Sequence, residues 1–165
     1  MILRKQIAAG LASLCLLALG SCRSQPVLDL RQYAYVSNGR SNSVSVLDLY
    51  SFRTLTTVAV GRNPTGVTAS PTRNEVYAVN SGSDNVSVID AERNQVVATI
   101  GVHHTPFFID VSADGKRGYV ANSGSANVSV LDLETRRVLA TVGVGGAPGV
   151  ARVSPDGTTV VVSNR

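Results

Sequence analysis

The feature that most constrains the fold of this chain is a 42-residue unit that is written about three times. The unit contains a four-residue motif of the form Tyr-Val-Ser-Asn or a close variant, which begins at Tyr35, Tyr77, Tyr119 and Val161. Residues 75–116 and 117–158 share 21 identities in 42 positions without a gap, and residues 33–74 share 11 with 75–116. A constant period of this length predicts a row of like modules that pack on one another.

Each copy of the unit reads as four short strands. In the best-formed copy the strands are predicted at 107–112, 118–122, 127–132 and 138–144. Alternation of apolar and polar residues indicates strands, and Asp-Gly is typical of a tight turn between them. Four such strands joined as an antiparallel meander make one β-propeller blade.

We therefore predict an all-β fold, a partial β-propeller of about three four-stranded antiparallel blades. The chain would enter at the second strand of one blade and leave after the second strand of another, which makes thirteen strands. The predicted repeats are 33–74, 75–116, 117–158 and the start of a fourth at 159–165.

Composition agrees with blades and argues against a nucleic-acid partner. The chain is 44% hydrophobic but only 5% aromatic, with 15 Gly and no Trp, as suits closely stacked sheets of small side chains. Its net charge is +4, and the basic residues are scattered without a stripe or interleaved aromatic residues.

Two sets of repeated polar residues are predicted to be structural. The Asp that ends each third strand is expected to accept backbone N–H bonds in the next turn; these are Asp48, Asp90 and Asp132. A second set is expected to brace the loop between strands two and three; it comprises Asn38, Asn80 and Asn122 with Asn42, Asn85 and Asn127.

The N-terminus is predicted to be a targeting segment that precedes the fold. Arg4 and Lys5 come before an apolar run of 13 residues that ends at Leu19, a length typical of a signal helix and too short to span a bilayer comfortably. The following Gly20-Ser21-Cys22 resembles the lipobox of bacterial lipoproteins. The resemblance implies a signal peptide at 1–21, cleavage before Cys22 and acylation of that residue.

Residues 22–32 would then be a tether, and membrane lipid would be a partner through Cys22. The expected location is the periplasm, with a lipid anchor in the outer membrane rather than the inner one, because Arg23 and not Asp follows the cysteine. The alternative is an ordinary secretory signal peptide that is cut near Ser21, with no role for Cys22.

The Tyr-Ala-Val-Asn and Tyr-Val-Ala-Asn segments, with Asn-Val-Ser-Val-Ile/Leu-Asp and Ser-Pro-Asp-Gly, resemble the YVTN-type (YncE-like) β-propeller repeat. The propeller domains of haem d1 nitrite reductases and lactonase-like proteins are similar. The resemblance implies a ring of seven blades, so this chain is expected to be an open arc and a fragment of such a ring. The alternatives are several chains that assemble into a ring through the open blade faces, and a stable arc with an atypical cap.

Candidate ligand-binding residues lie where one copy departs from the others. The middle copy has His103 and His104 where the others read Gly61-Arg62 and Gly145-Gly146, and Phe107 follows shortly. Histidine can bind a metal or haem or move a proton, and an aromatic ring can stack on a flat ligand. Against this, adjacent residues of an extended segment point in opposite directions. Phe107 and Phe108 are also expected to serve as packing between blades.

The favoured function is a non-catalytic binding or scaffold surface of a cell-envelope lipoprotein, with an envelope protein or peptide as partner. No catalytic residue, metal site or cofactor is predicted. A facing pair of Asp110 and Arg152 on neighbouring blades is expected to be structural. The alternatives are the N-terminal part of a propeller enzyme or cofactor protein, lactonase-like or linked to haem d1 or a quinone, and a truncated fragment without function.

Overall fold

The computed structural model describes residues 32–165; the signal peptide, Cys22 and nearly all of the tether lie outside the described residues. The described part is all-β, with thirteen strands and one 3-10 turn at Gly39–Ser41. Its strands form four antiparallel sheets in chain order.

The first sheet contains β1 (Tyr33–Asn38), β2 (Ser43–Asp48) and β3 (Arg53–Ala59). The second contains β4 (Pro64–Ala69), β5 (Glu75–Asn80), β6 (Asn85–Asp90) and β7 (Gln95–Gly101). The third contains β8 (Pro106–Val111), β9 (Arg117–Asn122), β10 (Asn127–Asp132) and β11 (Arg137–Gly143). The fourth contains β12 (Pro148–Val153) and β13 (Val160–Asn164).

This arrangement confirms the predicted partial β-propeller, including the division into three, four, four and two strands. In each complete sheet the strands are joined in sequence as a meander, from the first strand to the fourth. The strand bounds differ from the prediction by a residue, since β8 begins at Pro106 and β11 at Arg137.

The sheets also repeat their irregularities. The first strand of the second, third and fourth sheets begins at a proline that is followed by a register shift, at Pro64, Pro106 and Pro148. Proline has no N–H to donate to the ladder, so an irregular strand start accommodates it. Identical irregularities at a constant step show that the modules are structural copies as well as sequence copies.

The core lies between successive sheets. We call the face that a sheet turns towards the next sheet its trailing face, and the face towards the preceding sheet its leading face. Val44, Val46 and Val58 on the trailing face of the first sheet pack against Val76 and Ile89 on the leading face of the second. The second and third sheets form a larger cluster in the same way. Small and β-branched side chains allow two pleated sheets to approach closely.

The predicted role of the repeated aspartates is confirmed. Asp90 Oδ1 accepts the N–H groups of Glu92 and Arg93, each at 2.9 Å. Asp48 and Asp132 accept the equivalent pairs in their own turns. The carboxylate satisfies donors that leave the ladder where the strand ends.

The prediction for the repeated asparagines is confirmed for two sheets and wrong for Asn42. Asn80 Nδ2 donates to Asn85 Oδ1 at 2.8 Å, and Asn122 Nδ2 donates to Asn127 Oδ1 at the same distance. In the first sheet Ser43, not Asn42, holds the position of Asn85 and Asn127 and accepts from Asn38. Asn42 lies one residue earlier in a left-handed conformation (φ 55°), which asparagine tolerates better than most residues.

Across residues 32–165, no helix has the length and hydropathy needed to cross a bilayer.

Candidate functional site

The candidate residues lie at the end of the sheets where the chain crosses from one sheet to the next. We call this the crossover end. It comprises the crossovers 60–63, 102–105 and 144–147 and the loops at 39–42, 81–84 and 123–126, which join β1 to β2, β5 to β6 and β9 to β10. Each crossover leaves the last strand of one sheet (β3, β7 or β11) and leads into the first strand of the next (β4, β8 or β12).

Backbone bonds fix each crossover to the loop of the following sheet. Ser81 and Gly82 donate to the carbonyls of Asn63 and Arg62 at 3.0 and 2.9 Å. Ser123 and Gly124 donate to the carbonyls of Thr105 and His104, both at 3.0 Å. The crossover that carries the two histidines is therefore a rigid part of the fold, because its carbonyls are paired like those of the preceding crossover.

Side chains fasten the same crossovers a second time. Asp84 Oδ1 accepts the N–H of Thr105 at 2.9 Å, and Ser125 Oγ accepts the N–H of His104 at 3.0 Å. Asn42 and Ser83 do the same for the first crossover. This role of Asn42, Asp84, Ser83 and Ser125 was not predicted from the sequence. The Ser-Gly-Ser segments at 81–83 and 123–125, one period apart, were a signal that could have revealed it.

The two imidazoles are directed to different partners. His103 Nε2 lies 3.0 Å from Thr141 Oγ1 on β11 of the third sheet. His104 Nδ1 lies 2.9 Å from Asp84 Oδ2, in the loop between β5 and β6 of the second sheet. Both side chains are exposed. Within residues 32–165 no three His, Cys, Asp or Glu side chains are grouped so that they could hold a metal ion.

Phe107 lies two residues beyond the crossover and is half-buried. The guanidinium of Arg165 stands over its ring, 4.1 Å from the centroid, a cation–π contact. Phe108 lies one period after Gly66 of the preceding sheet, and its ring packs against that glycine. A Cβ atom added at Gly66 would lie 3.2 Å from the ring. The three predicted candidates thus share one stretch of chain, but each contacts a different residue: Thr141, Asp84 or Arg165.

The predicted pair of Asp110 and Arg152 is confirmed. Asp110 Oδ1 lies 3.3 Å from Arg152 Nη1, and its Oδ2 accepts the N–H of Val153 at 2.9 Å. The Asp110 side chain is nearly buried, whereas that of Arg152 is mostly exposed and lies 5.1 Å from the centroid of Phe108. This carboxylate joins the first strands of the third and fourth sheets.

Several aspartates have pKa values below the ordinary value of a carboxyl. The N–H of Thr105 and then the imidazole of His104 lower the pKa of Asp84. Backbone N–H groups of the following turn lower the pKa of Asp90 and Asp132. The hydroxyls of Ser112 and Ser154 do so for the pKa of Asp114 and Asp156. These groups are anions at neutral pH, whereas a carboxylic acid that donates a proton in catalysis needs a raised pKa.

Two cavities within residues 32–165 lie away from the histidines. One of about 290 Å³ lies at the opposite end of the third and fourth sheets and is lined by Ser112, Asp114, Arg117, Tyr119 and Asp156. An apolar one of about 180 Å³ lies between the same two sheets, beside Val130 and Val142.

A family model described as "Lactonase, 7-bladed beta-propeller" matches residues 33–147. The solved structure of Kuenenia stuttgartiensis hydrazine synthase is similar, at 32% identity and a TM-score of 0.76, over 79% of this chain and 38% of that one. No curated protein matches the chain.

Two further solved structures are alike in fold alone. A functionally unknown protein from Desulfotomaculum acetoxidans DSM 771 is 23% identical with a TM-score of 0.70, over 81% of this chain and 45% of that one. Apo AztD from Citrobacter koseri is 17% identical with a TM-score of 0.61, over 72% and 34%. The chain spans less than half of the length of each of these three structures.

Proposed function

This chain belongs to the lactonase family of seven-bladed β-propellers, and from that premise we propose that it is a non-catalytic binding protein of the cell envelope. Its repeats would be of the YVTN type, with a lipid at Cys22 as anchor and the crossover end as binding surface. The partner would be an envelope protein or peptide.

The observation that carries this proposal is the use of the carboxylates. Every aspartate within residues 32–165 accepts a hydrogen bond from a backbone N–H group; these are Asp48, Asp84, Asp90, Asp110, Asp114, Asp132 and Asp156. Groups that in an enzyme would move protons serve here to hold turns, strands and crossovers. The aspartates of this part of the chain support a scaffold rather than a reaction.

The second crossover supplies what a binding surface needs. His103 and His104 are exposed on a backbone that two loops hold in place. Each imidazole uses one ring nitrogen in its bond to Thr141 or Asp84, which leaves the other nitrogen for a partner. A rigid site with exposed polar groups binds a peptide or protein surface at little cost in conformational entropy.

Anchoring predicts a clear result for the two cysteines. Cells that express the full chain and receive radiolabelled palmitate should label the wild type and Cys15→Ala, but not Cys22→Ala, because only Cys22 would carry acyl groups. The Cys22→Ala protein should also leave the membrane fraction. Equal labelling of all three proteins would overturn the lipid anchor and leave the binding surface to be judged separately.

A second candidate is the catalytic part of a larger propeller enzyme or cofactor protein. The observation in its favour is the pair of His104 and Asp84, since a carboxylate 2.9 Å from a ring nitrogen orients an imidazole as general bases require. The remaining groups of such a site would have to come from outside residues 32–165.

Absorbance spectroscopy separates the two candidates. We expect the absorbance spectrum of the purified protein mixed with haem or a quinone to equal the sum of the two separate spectra. The double variant His103→Ala, His104→Ala should give the same spectrum as the wild type. Arg62→Ala, at the position one period before His104, is the matched control. A new band in the wild type and the control that the double variant lacks would favour the cofactor protein.

A further inference from the structure

The turn that joins β2 to β3 differs in chemistry from its copies in the other sheets. It reads Leu-Tyr-Ser-Phe at 49–52, where the second sheet has Ala-Glu-Arg-Asn at 91–94 and the third has Leu-Glu-Thr-Arg at 133–136. The two later turns each contain charged side chains, whereas the first contains none. We call residues 49–52 the aromatic turn.

The side chain of Tyr50 is 91% exposed. Its equivalents are Glu92 and Glu134, which are also exposed. The second sheet packs against a sheet on each of its faces, yet Glu92 remains exposed, so the stacking of sheets does not cover this position. The exposure of Tyr50 therefore belongs to the position, and an aromatic side chain stands where the other sheets have a charged one.

Hydrogen bonds fix the backbone of the aromatic turn. Asp48 Oδ1 accepts the N–H groups of Tyr50 and Ser51 at 2.7 and 3.0 Å. The N–H of Leu49 donates to the carbonyl of Gln32 at 2.9 Å. Because the turn is ordered without a partner, the ring of Tyr50 can bind one at little cost in backbone entropy.

Further apolar side chains and a cation flank Tyr50. Phe52 supplies a second aromatic ring in the same turn, and Leu55 on β3 is 52% exposed. The equivalents of Leu55 in the second and third sheets are 45% and 51% exposed, so this exposure too belongs to the position. Arg53 is exposed between the turn and Leu55. A tyrosine with aliphatic side chains and an arginine is typical of surfaces that enter the headgroup region of a bilayer.

The aromatic turn is also close to the point where the chain enters the fold. Gln32, which accepts the bond from Leu49, lies ten residues after Cys22. Ten residues span at most about 36 Å when fully extended, so a lipid on Cys22 would keep the aromatic turn near the bilayer surface. This step rests on the proposed function, because it takes the lipid anchor as given.

We propose that the aromatic turn is a second membrane contact, in which Tyr50 lies in the headgroup region of a phospholipid bilayer and Arg53 lies near the lipid phosphates. The tyrosine ring is apolar and its hydroxyl is polar, which suits the boundary between acyl chains and water. β2 runs from the crossover end to the aromatic turn. The contact would therefore turn the crossover end, with its two histidines, away from the membrane and towards a partner.

Tryptophan fluorescence tests the proposal, because the chain contains no tryptophan. Tyr50→Trp places a single reporter in the aromatic turn of the full chain, and Glu134→Trp is the matched control at the equivalent exposed position. Each protein is reconstituted into vesicles of phosphatidylethanolamine and phosphatidylglycerol, with or without bromine on the acyl chains. Bromine quenches only a nearby indole, so it should lower the emission of Tyr50→Trp at least about twofold and leave that of Glu134→Trp nearly unchanged. Equal quenching at the two positions, or none at position 50, overturns the proposal.

A second set of variants tests whether the contact depends on the aromatic ring. With Phe52→Trp as the reporter, Tyr50→Phe should keep the quenching by bromine. Tyr50→Glu introduces the residue that the other sheets have, so the fold should be kept, but quenching should fall at least about twofold because a carboxylate resists transfer into the bilayer. Unchanged quenching in Tyr50→Glu would overturn the assignment of Tyr50.

The lipid anchor and the aromatic contact can fail separately. Radiolabelled palmitate on Cys22 is measured in the same preparations as the quenching. A labelled protein without quenching at position 50 would overturn the aromatic contact and keep the anchor. Quenching at position 50 in an unlabelled protein would support the aromatic contact and overturn the anchor.

Discussion

Leu131→Ala is expected to lower the free energy of unfolding by about 2–5 kcal/mol, as for other large-to-small changes in a packed core. Leu131 is fully buried on the leading face of the third sheet and packs in the cluster with Tyr77, Val88 and Ile100. The change would leave a cavity in the largest interface between sheets. Urea unfolding followed by circular dichroism measures the loss.

The repeat supplies the control for this change. Leu47 holds the same position in the first sheet but is only half-buried, because within residues 32–165 no sheet precedes the first one. Leu47→Ala removes the same atoms and should lower the free energy of unfolding by about 1 kcal/mol. Equal losses at the two positions would contradict the stacking of sheets as the source of stability.

Asn122→Ala should be the next most damaging change, with a loss of about 2–3 kcal/mol. Asn122 is fully buried, and its Nδ2 donates to Asn127 Oδ1 at 2.8 Å and to Ser129 Oγ at 2.9 Å. Alanine would leave the two acceptors without that donor. Ser129 is also fully buried, so water would not readily replace the lost bond.

Asn38→Ala is the matched variant in the first sheet, where Asn38 and its nearer acceptor Ser45 are only half-buried. The other acceptor of Asn38, the buried Ser43 Oγ, keeps a bond to Ser41 Oγ. The loss for Asn38→Ala should be about 1 kcal/mol because water can satisfy the remaining groups. Hydrogen exchange should in addition show faster exchange in the loop 123–126 of Asn122→Ala than in the same loop of the wild type. Unchanged exchange there would indicate that the asparagine does not brace the loop.

Comparison of equivalent positions in the repeated sheets distinguishes residues that maintain the fold from residues that are free to take part in binding. Positions that recur in each sheet, such as the aspartates of the turns, hold the fold. His103 and His104 break the repeat without breaking the crossover, because that crossover is held through backbone groups and through Asp84 and Ser125. Side chains at such a place can change while the fold is kept, which is where binding specificity can be added.

Much of the fold could be predicted from the sequence because strands and turns depend on neighbours along the chain. Alternation at Val128 and Val130 indicates a strand, and Asp132 caps the turn that follows, whatever surrounds them. The pairing of Asp110 with Arg152 was also predictable, since both stand one period apart on first strands of adjacent blades. For the same reason, the strand count followed from the period.

The role of Asn42 and the partners of the histidines could not be predicted in this way. Asn42 and Asp84 each bind a crossover residue 21 positions later in the chain. Thr141, the partner of His103, is 38 residues away on the outermost strand of the next sheet. Such contacts depend on how loops of two modules meet in space, which no local pattern encodes.

The module, its length, its strands and its turns are encoded in the local sequence. Which copies of the module are covered depends on how the sheets pack in space. Ile100 and Val142 are apolar residues in nearly identical sequence contexts, yet the side chain of Ile100 is buried and that of Val142 is about half exposed. Burial is conferred by the facing sheet and not by the residue itself.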